Sequence, residues 1–123
     1  MEITLCSLSD IDKHKANHQY IIVRKLKNPV RGVVPLPELS PSEDLLEYAL
    51  RNKDNPNWFE TYESRFREEM RNPKFQVSIF LITEFLKRGE SVTLACYCKD
   101  YKNCHRKLVG ECFEKLGVKV NLY

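Results

Sequence analysis

Only four glycines occur in the 123 residues, and none belongs to a glycine-rich phosphate-cradling loop. Any anion site must therefore be built by other means. The five cysteines form no C-x-x-C pair, which excludes the usual thioredoxin-type motif and the paired spacing of zinc ribbons and fingers. No apolar run approaches the roughly 18 residues that a membrane span requires. There is no internal repeat and no low-complexity tract. The stretch MEITLCSLSDIDKHK carries an acid at position 2 and no apolar segment long enough for an export signal, so a cytoplasmic protein with reduced thiols is expected. Acids are missing from positions 13 to 37. That stretch holds six basic residues (Lys13, Lys15, Arg24, Lys25, Lys27, Arg31) and two histidines. It reads either as a solvated surface or as a face for an anionic partner, a phosphate-bearing small molecule or nucleic acid.

What is present is the pattern of one α/β domain covering residues 1–123. EITLCSL and QYIIVRK (19–25) predict strands, and the proline-rich LKNPVRGVVPLPEL (26–39) a loop. Three helices follow. The first is capped by Ser40 with Pro41 and Glu43 behind it, the second opens at Asn55-Pro56, and the third opens at Asn72-Pro73 and ends at Gly89. SVTLACYC (91–98) is a strand with Val92, Leu94, Cys96 and Cys98 on one face. Asn103 caps a helix over 104–116, and VKVNLY closes as a strand. The expected fold is Rossmann-like, a mostly parallel or mixed sheet of about four strands with helices on its faces.

The segment LACYCKDYKNCHRKLVGE concentrates the chemistry. In open α/β sheets the turn from strand end to helix start is where ligands bind. Helix N-termini attract anions and lower thiol pKa values there. Three readings compete. In the first, Cys104 is a reactive thiolate, Cys98 its resolving thiol, His105 a proton acceptor, and Arg106 with Asn103 an anion clamp. In the second, Cys96, Cys98, Cys104 and His105 bind a metal; adjacent helical residues diverge by about 100°, which counts against Cys104 and His105 sharing an ion. In the third, the cysteines simply pack, which suits Cys96 and Cys112 best. Cys104, Leu108, Cys112 and Leu116 define the helix's inward stripe. The cofactor, if any, is not indicated, and neither is the oligomeric state.

VTLACYCKDYKNCHRKLVGE resembles the C-terminal signature of the domain of unknown function 488 family, in which a strand ending "Cys or Tyr, x, x, Lys or Arg, Asp" leads to Cys-His-Arg at a helix start. LSPSEDLLEYAL is similar to that family's Ala-Pro-Ser capped helix, and FETYESRFREEM to its aromatic helix. RKLKNPVRGV resembles a loop pairing an arginine with a later Pro-Arg-Gly, although Val23 stands where the family has Asp and the loop tryptophan is absent. The resemblance implies a small α/β domain. The two elements shared with that family are the basic loop with Arg24 and Arg31 and the helix start Cys104-His105-Arg106; standing at one edge of the sheet, they would make a positively walled pocket with a thiol floor that suits a phosphate-bearing ligand or nucleotide.

Overall fold

The computed structural model describes residues 1–123. Its centre is a sheet of five parallel strands: β1 (Glu2–Ser7), β2 (His18–Ile21), β3 (Val34–Pro35), β4 (Val92–Cys96) and β5 (Lys119–Leu122), ordered β3-β2-β4-β1-β5. The fold is thus α/β and Rossmann-like. The additional strand is β3, two residues within the proline-rich segment expected to be loop. It forms because Tyr20 and Ile21 offer their edge to Val34 and Pro35, and proline is tolerated at a sheet edge. The registers Leu5↔Leu94 and Tyr20↔Leu94 align the three central strands.

All four helices lie on one face, which differs from the expected coverage of both. They are α1 (Glu43–Asn52), α2 (Trp58–Glu69), α3 (Pro73–Lys87) and α4 (His105–Glu114). Phe66, Phe75, Ile79, Leu108 and Phe113 pack with Ile3, Leu5, Leu94 and Cys96 in one cluster. Across the sheet, Cys6, Ile21 and Ala95 pack with Ile11 of a 3-10 turn (Leu8–Lys13) and Val33 of the β2–β3 loop. The handedness of parallel crossovers explains this segregation. The β1→β2 and β2→β3 connections run toward one edge, and the β3→β4 and β4→β5 connections toward the other, so right-handed crossovers put the two sets on opposite faces. Only the second set contains α-helices.

Local signals place the helix ends with small shifts. Ser42, not Ser40, caps α1, accepting from the Leu45 amide at 3.2 Å. The reason lies in α2: the Glu69 carboxylate takes both the amide and the hydroxyl of Ser42, fixing that residue at the helix start. Asn57, rather than the Asn55-Pro56 pair, precedes α2 and makes no side-chain cap. Asn72 caps α3 by accepting from the Lys74 amide at 2.9 Å. Gly89, at φ 80, ends α3, a conformation that costs glycine little. On α4 the inward stripe extends less far than its spacing suggested. Leu108, Val109 and Phe113 are buried, Cys112 is half-buried and Leu116 is exposed, because the chain turns away to β5. Tyr62 and Phe66 are core residues, with Trp58 and Phe59 packed against them. No helix is long and apolar enough to cross a membrane.

Candidate functional site

Strand β1 leaves the sheet toward β2, and its neighbour β4 leaves toward β5. Their adjacent carboxyl ends, Ser7 and Cys96, therefore form the topological switch point at which open α/β sheets bind ligands. Strand β4 stops at Cys96, two residues short of the expected end, so Tyr97 and Cys98 belong to the loop that crosses the sheet edge. A 3-10 turn (Tyr101–Asn103) then feeds α4, with Cys104 as N-cap in extended conformation at φ −134, ψ 143.

That extended residue brings the thiols together. The Sγ atoms of Cys96 and Cys104 are 3.1 Å apart. Those of Cys96, Cys98 and Cys104 all lie within 4.8 Å of one another, an arrangement that can hold a metal ion. Cys96 and Cys104 are each 1% exposed, whereas Cys98 faces solvent. Because Cys104 is not yet helical, the 100° separation from His105 does not apply. Cys104 Sγ lies 3.8 Å from His105 Nδ1.

Arg106 is fully buried. Its Nη1 donates to Cys96 Sγ at 3.1 Å, to the Cys98 carbonyl at 2.7 Å and toward Cys104 Sγ at 3.5 Å. Its Nε and Nη2 donate to the Tyr123 carbonyl, and Nη2 also to the Lys99 carbonyl. No Asp or Glu pairs with it. A buried guanidinium needs a counter-charge, and the sulfurs are the side chains in contact that can supply one. The Cys96 thiol is accordingly held well below the ordinary thiol range. Hydrogen bonds from Cys104 and Cys98 favour its anion, and the charge of Arg106 adds to them against the cost of burial. Cys104 is pushed up because hydrogen bonding to Cys96 and Cys98 keeps the shared proton on it, with burial adding to the effect. For Cys98, bonding to Cys104 favours the anion, but bonding to Cys96 and burial outweigh it and raise the thiol. Of the three sulfurs, Cys96 is the one on which these contacts favour a negative charge.

His105 donates from Nε2 to the Ile22 carbonyl at 2.7 Å, which leaves Nδ1 free to accept beside Cys104. Burial lowers its pKa despite the Ile22 bond, so the ring is neutral. The edge of Phe66 or of the imidazole is turned to the face of the other, with centroids 5.7 Å apart.

The remaining candidates are scattered. Arg106 has its donors committed to carbonyls and sulfurs. Arg24 is exposed, donates to the Pro41 carbonyl, and lines a cleft of about 390 Å³ with Ser40, Ser42, Glu69 and Lys74 that contains no cysteine. Arg31 and Asn103 are exposed and make no side-chain hydrogen bond or ion pair. The structure therefore does not join Arg24, Arg31 and Arg106 into one walled pocket with the thiols. Cys6 lies on the other sheet face, where burial raises its thiol to about 11. Cys96, which the sequence suited best to packing, is buried and also stands within the sulfur cluster; its place on the same strand face as Cys98 was the signal available in the sequence.

An all-parallel α/β domain with three thiols and a buried arginine at its switch point is the class defined by these features. The chain belongs to the domain of unknown function 488 family: the family model described as the active DUF488-N3 subclade matches residues 3–117. No curated protein and no solved structure matches it.

Proposed function

We propose that the protein is a dithiol redox protein that exchanges electrons with disulfide-bearing substrates. The observation that carries this reading is the cluster of three mutually close thiols beside a buried Arg106 that pairs with no Asp or Glu. Cys98 is the solvent-facing thiol, Cys104 the resolving thiol, and Cys96 the internal base. Cys98 passes its proton to the Cys96 thiolate and attacks one sulfur of the substrate disulfide. The new bond is Cys98 Sγ–S, the substrate S–S bond breaks, and the departing sulfur takes the proton from Cys96. Cys104 then passes its proton to Cys96 and attacks Cys98 Sγ, forming the Cys98–Cys104 disulfide. The second substrate sulfur leaves and takes that proton. Two electrons and two protons pass from protein to substrate, and a thiol reductant restores the dithiol by the reverse steps. Arg106 stabilises the migrating charge throughout.

The test uses a chromogenic aromatic disulfide with Cys112→Ala protein, which removes the half-buried thiol outside the cluster. Two equivalents of aromatic thiol per chain are expected. Cys104→Ser should release one and retain the other as a mass adduct, and Cys98→Ser should react at least tenfold more slowly. A wild-type cluster that releases a single equivalent and keeps the adduct would overturn the reading.

The mutual spacing of the three sulfurs also favours a second reading, a site for a soft metal ion such as zinc. Native mass spectrometry after zinc loading would show one retained ion, lost in Cys98→Ser, if that reading holds.

A further inference from the structure

The structure divides the basic first third of the chain. Lys13 ends the 3-10 turn and Lys15 follows it, on the way back to the start of β2, where the Asn17 amide bonds Ser91 at the start of β4. They belong to the amino edge of the sheet. Arg24, Lys25, Lys27 and Arg31 lie in the loop leaving the carboxyl end of β2. Its neighbour β4 sends out the loop carrying Lys99 and Lys102. The two loops are docked together: the Lys27 amide donates to the Tyr97 hydroxyl at 2.8 Å, and Lys27 Nζ stands 5.7 Å from the centre of the Tyr97 ring.

All six cations are exposed, and none is in an ion pair. The one acid in these loops, Asp100, is turned to the Lys102 amide at 2.9 Å. The whole chain has a net charge of +3, so the remainder of the molecule is net acidic and the positive charge is concentrated on this edge. Of the two best-defined clefts, one is lined by Arg24 and none of the other five cations, and the other by none of the six. Charges spread over two loops outside these clefts suit an extended polyanion better than a small phosphorylated ligand, which needs converging donors. Tyr97, 40% exposed among these cations, supplies an aromatic face of the kind on which a base stacks.

We propose that the carboxyl edge of the sheet, formed by residues 24–31 and 97–102, binds single-stranded nucleic acid through its phosphate backbone. This surface surrounds the exposed Cys98, but binding there needs no thiol redox step, so it stands or falls separately from the dithiol reading.

The experiment is fluorescence anisotropy with a labelled 20-nucleotide single-stranded DNA. Six phosphate contacts give a log–log salt slope of about −4, a loss of affinity of a few hundred-fold between 50 and 200 mM salt. Replacing Lys25, Lys27, Lys99 and Lys102 together by Glu should abolish binding in a variant whose circular dichroism is unchanged. Lys15→Glu, at the opposite edge, should change affinity less than threefold. Absence of binding at 50 mM salt, a slope shallower than −1, or equal binding by the fourfold variant would each overturn the proposal. So would displacement of the DNA by polyglutamate at equal charge concentration, which would indicate an acidic protein partner, or by a nucleoside triphosphate at micromolar concentration, which would indicate a small-anion site.

Discussion

Replacing Arg106 by Met removes the charge while keeping a long apolar stem in a fully buried position. The guanidinium serves three main-chain carbonyls (Cys98, Lys99 and Tyr123) and two sulfurs. Hydrogen bonds from a charged donor are worth about 1.5–3 kcal/mol each, and the carbonyls here are partly open to water, so the lower end applies to them. Loss of the counter-charge to the sulfurs adds to this, and breaking a buried charged pair costs about 3–5 kcal/mol. The sulfur cluster escapes part of that cost by taking up a proton. The expected total is about 3–5 kcal/mol, read as a lower urea midpoint with unchanged slope. The absorbance of a thiolate at 240 nm should vanish at pH 7 in the same variant. Arg106→Lys keeps the charge but cannot span the carbonyls, so it should lose less stability and retain the thiolate. An Arg106→Met protein within about 1 kcal/mol of wild type, or one that keeps its thiolate, would refute the assigned charge balance.

Stability should also depend on pH in a defined direction. The folded Cys96 has released a proton that the unfolded thiol still holds, so stability rises with pH and is lost as pH falls. Between about pH 7 and 7.5, above the unfolded histidine pKa and well below the unfolded thiol pKa, the slope should approach about 1.4 kcal/mol per pH unit, and it should reverse toward pH 8.5, where Cys6, Cys98, Cys104 and Cys112, raised in the fold, keep protons that the unfolded chain is losing. Below that window neutral His105 adds a slope of the same sign. Urea midpoints measured across the window in wild type and Cys96→Ala should show the slope in the first and not in the second. Ser42→Ala removes the α1 cap and leaves Glu69 with only the residue-42 amide, an expected loss of about 1–2 kcal/mol by thermal unfolding. Gly110 sits where a Cβ would stand 3.2 Å from Val120 Cγ1 and 3.7 Å from Leu5 Cδ2. Gly110→Val should therefore overpack the α4–sheet contact and cost about 1–3 kcal/mol in the same measurement.

Elements with strong local signals were legible in the chain. Asn72-Pro73 and Gly89 bracket α3, and the alternation of Val92, Leu94 and Cys96 marks β4 and its core-facing side. Strand β3 was not legible, because its two residues are extended only by pairing with β2. The one-sided placement of helices was not legible either. It follows from the directions of the crossovers, which depend on strand order rather than on periodicity. At the site, the cysteines and Cys-His-Arg stood out by spacing, but helical geometry misjudged their relations. Cys104 is extended, so its sulfur meets Cys96 and approaches His105. Arg106, on the far side of a regular helix from residue 104, instead reaches past the strand ends to the Tyr123 carbonyl. A buried charge with no acid near it in sequence can be recognised only once the sheet has assembled.

The most direct test of the proposed redox centre is to equilibrate the folded protein in glutathione buffers of graded potential, quench by alkylation, and map the cysteines by mass spectrometry. The account predicts one reversible two-electron transition in which Cys98 and Cys104 lose reactivity together as an internal disulfide, while Cys6 and Cys112 remain reduced. Cysteines that oxidise independently, or a cluster that forms only mixed disulfides at every potential, would contradict it.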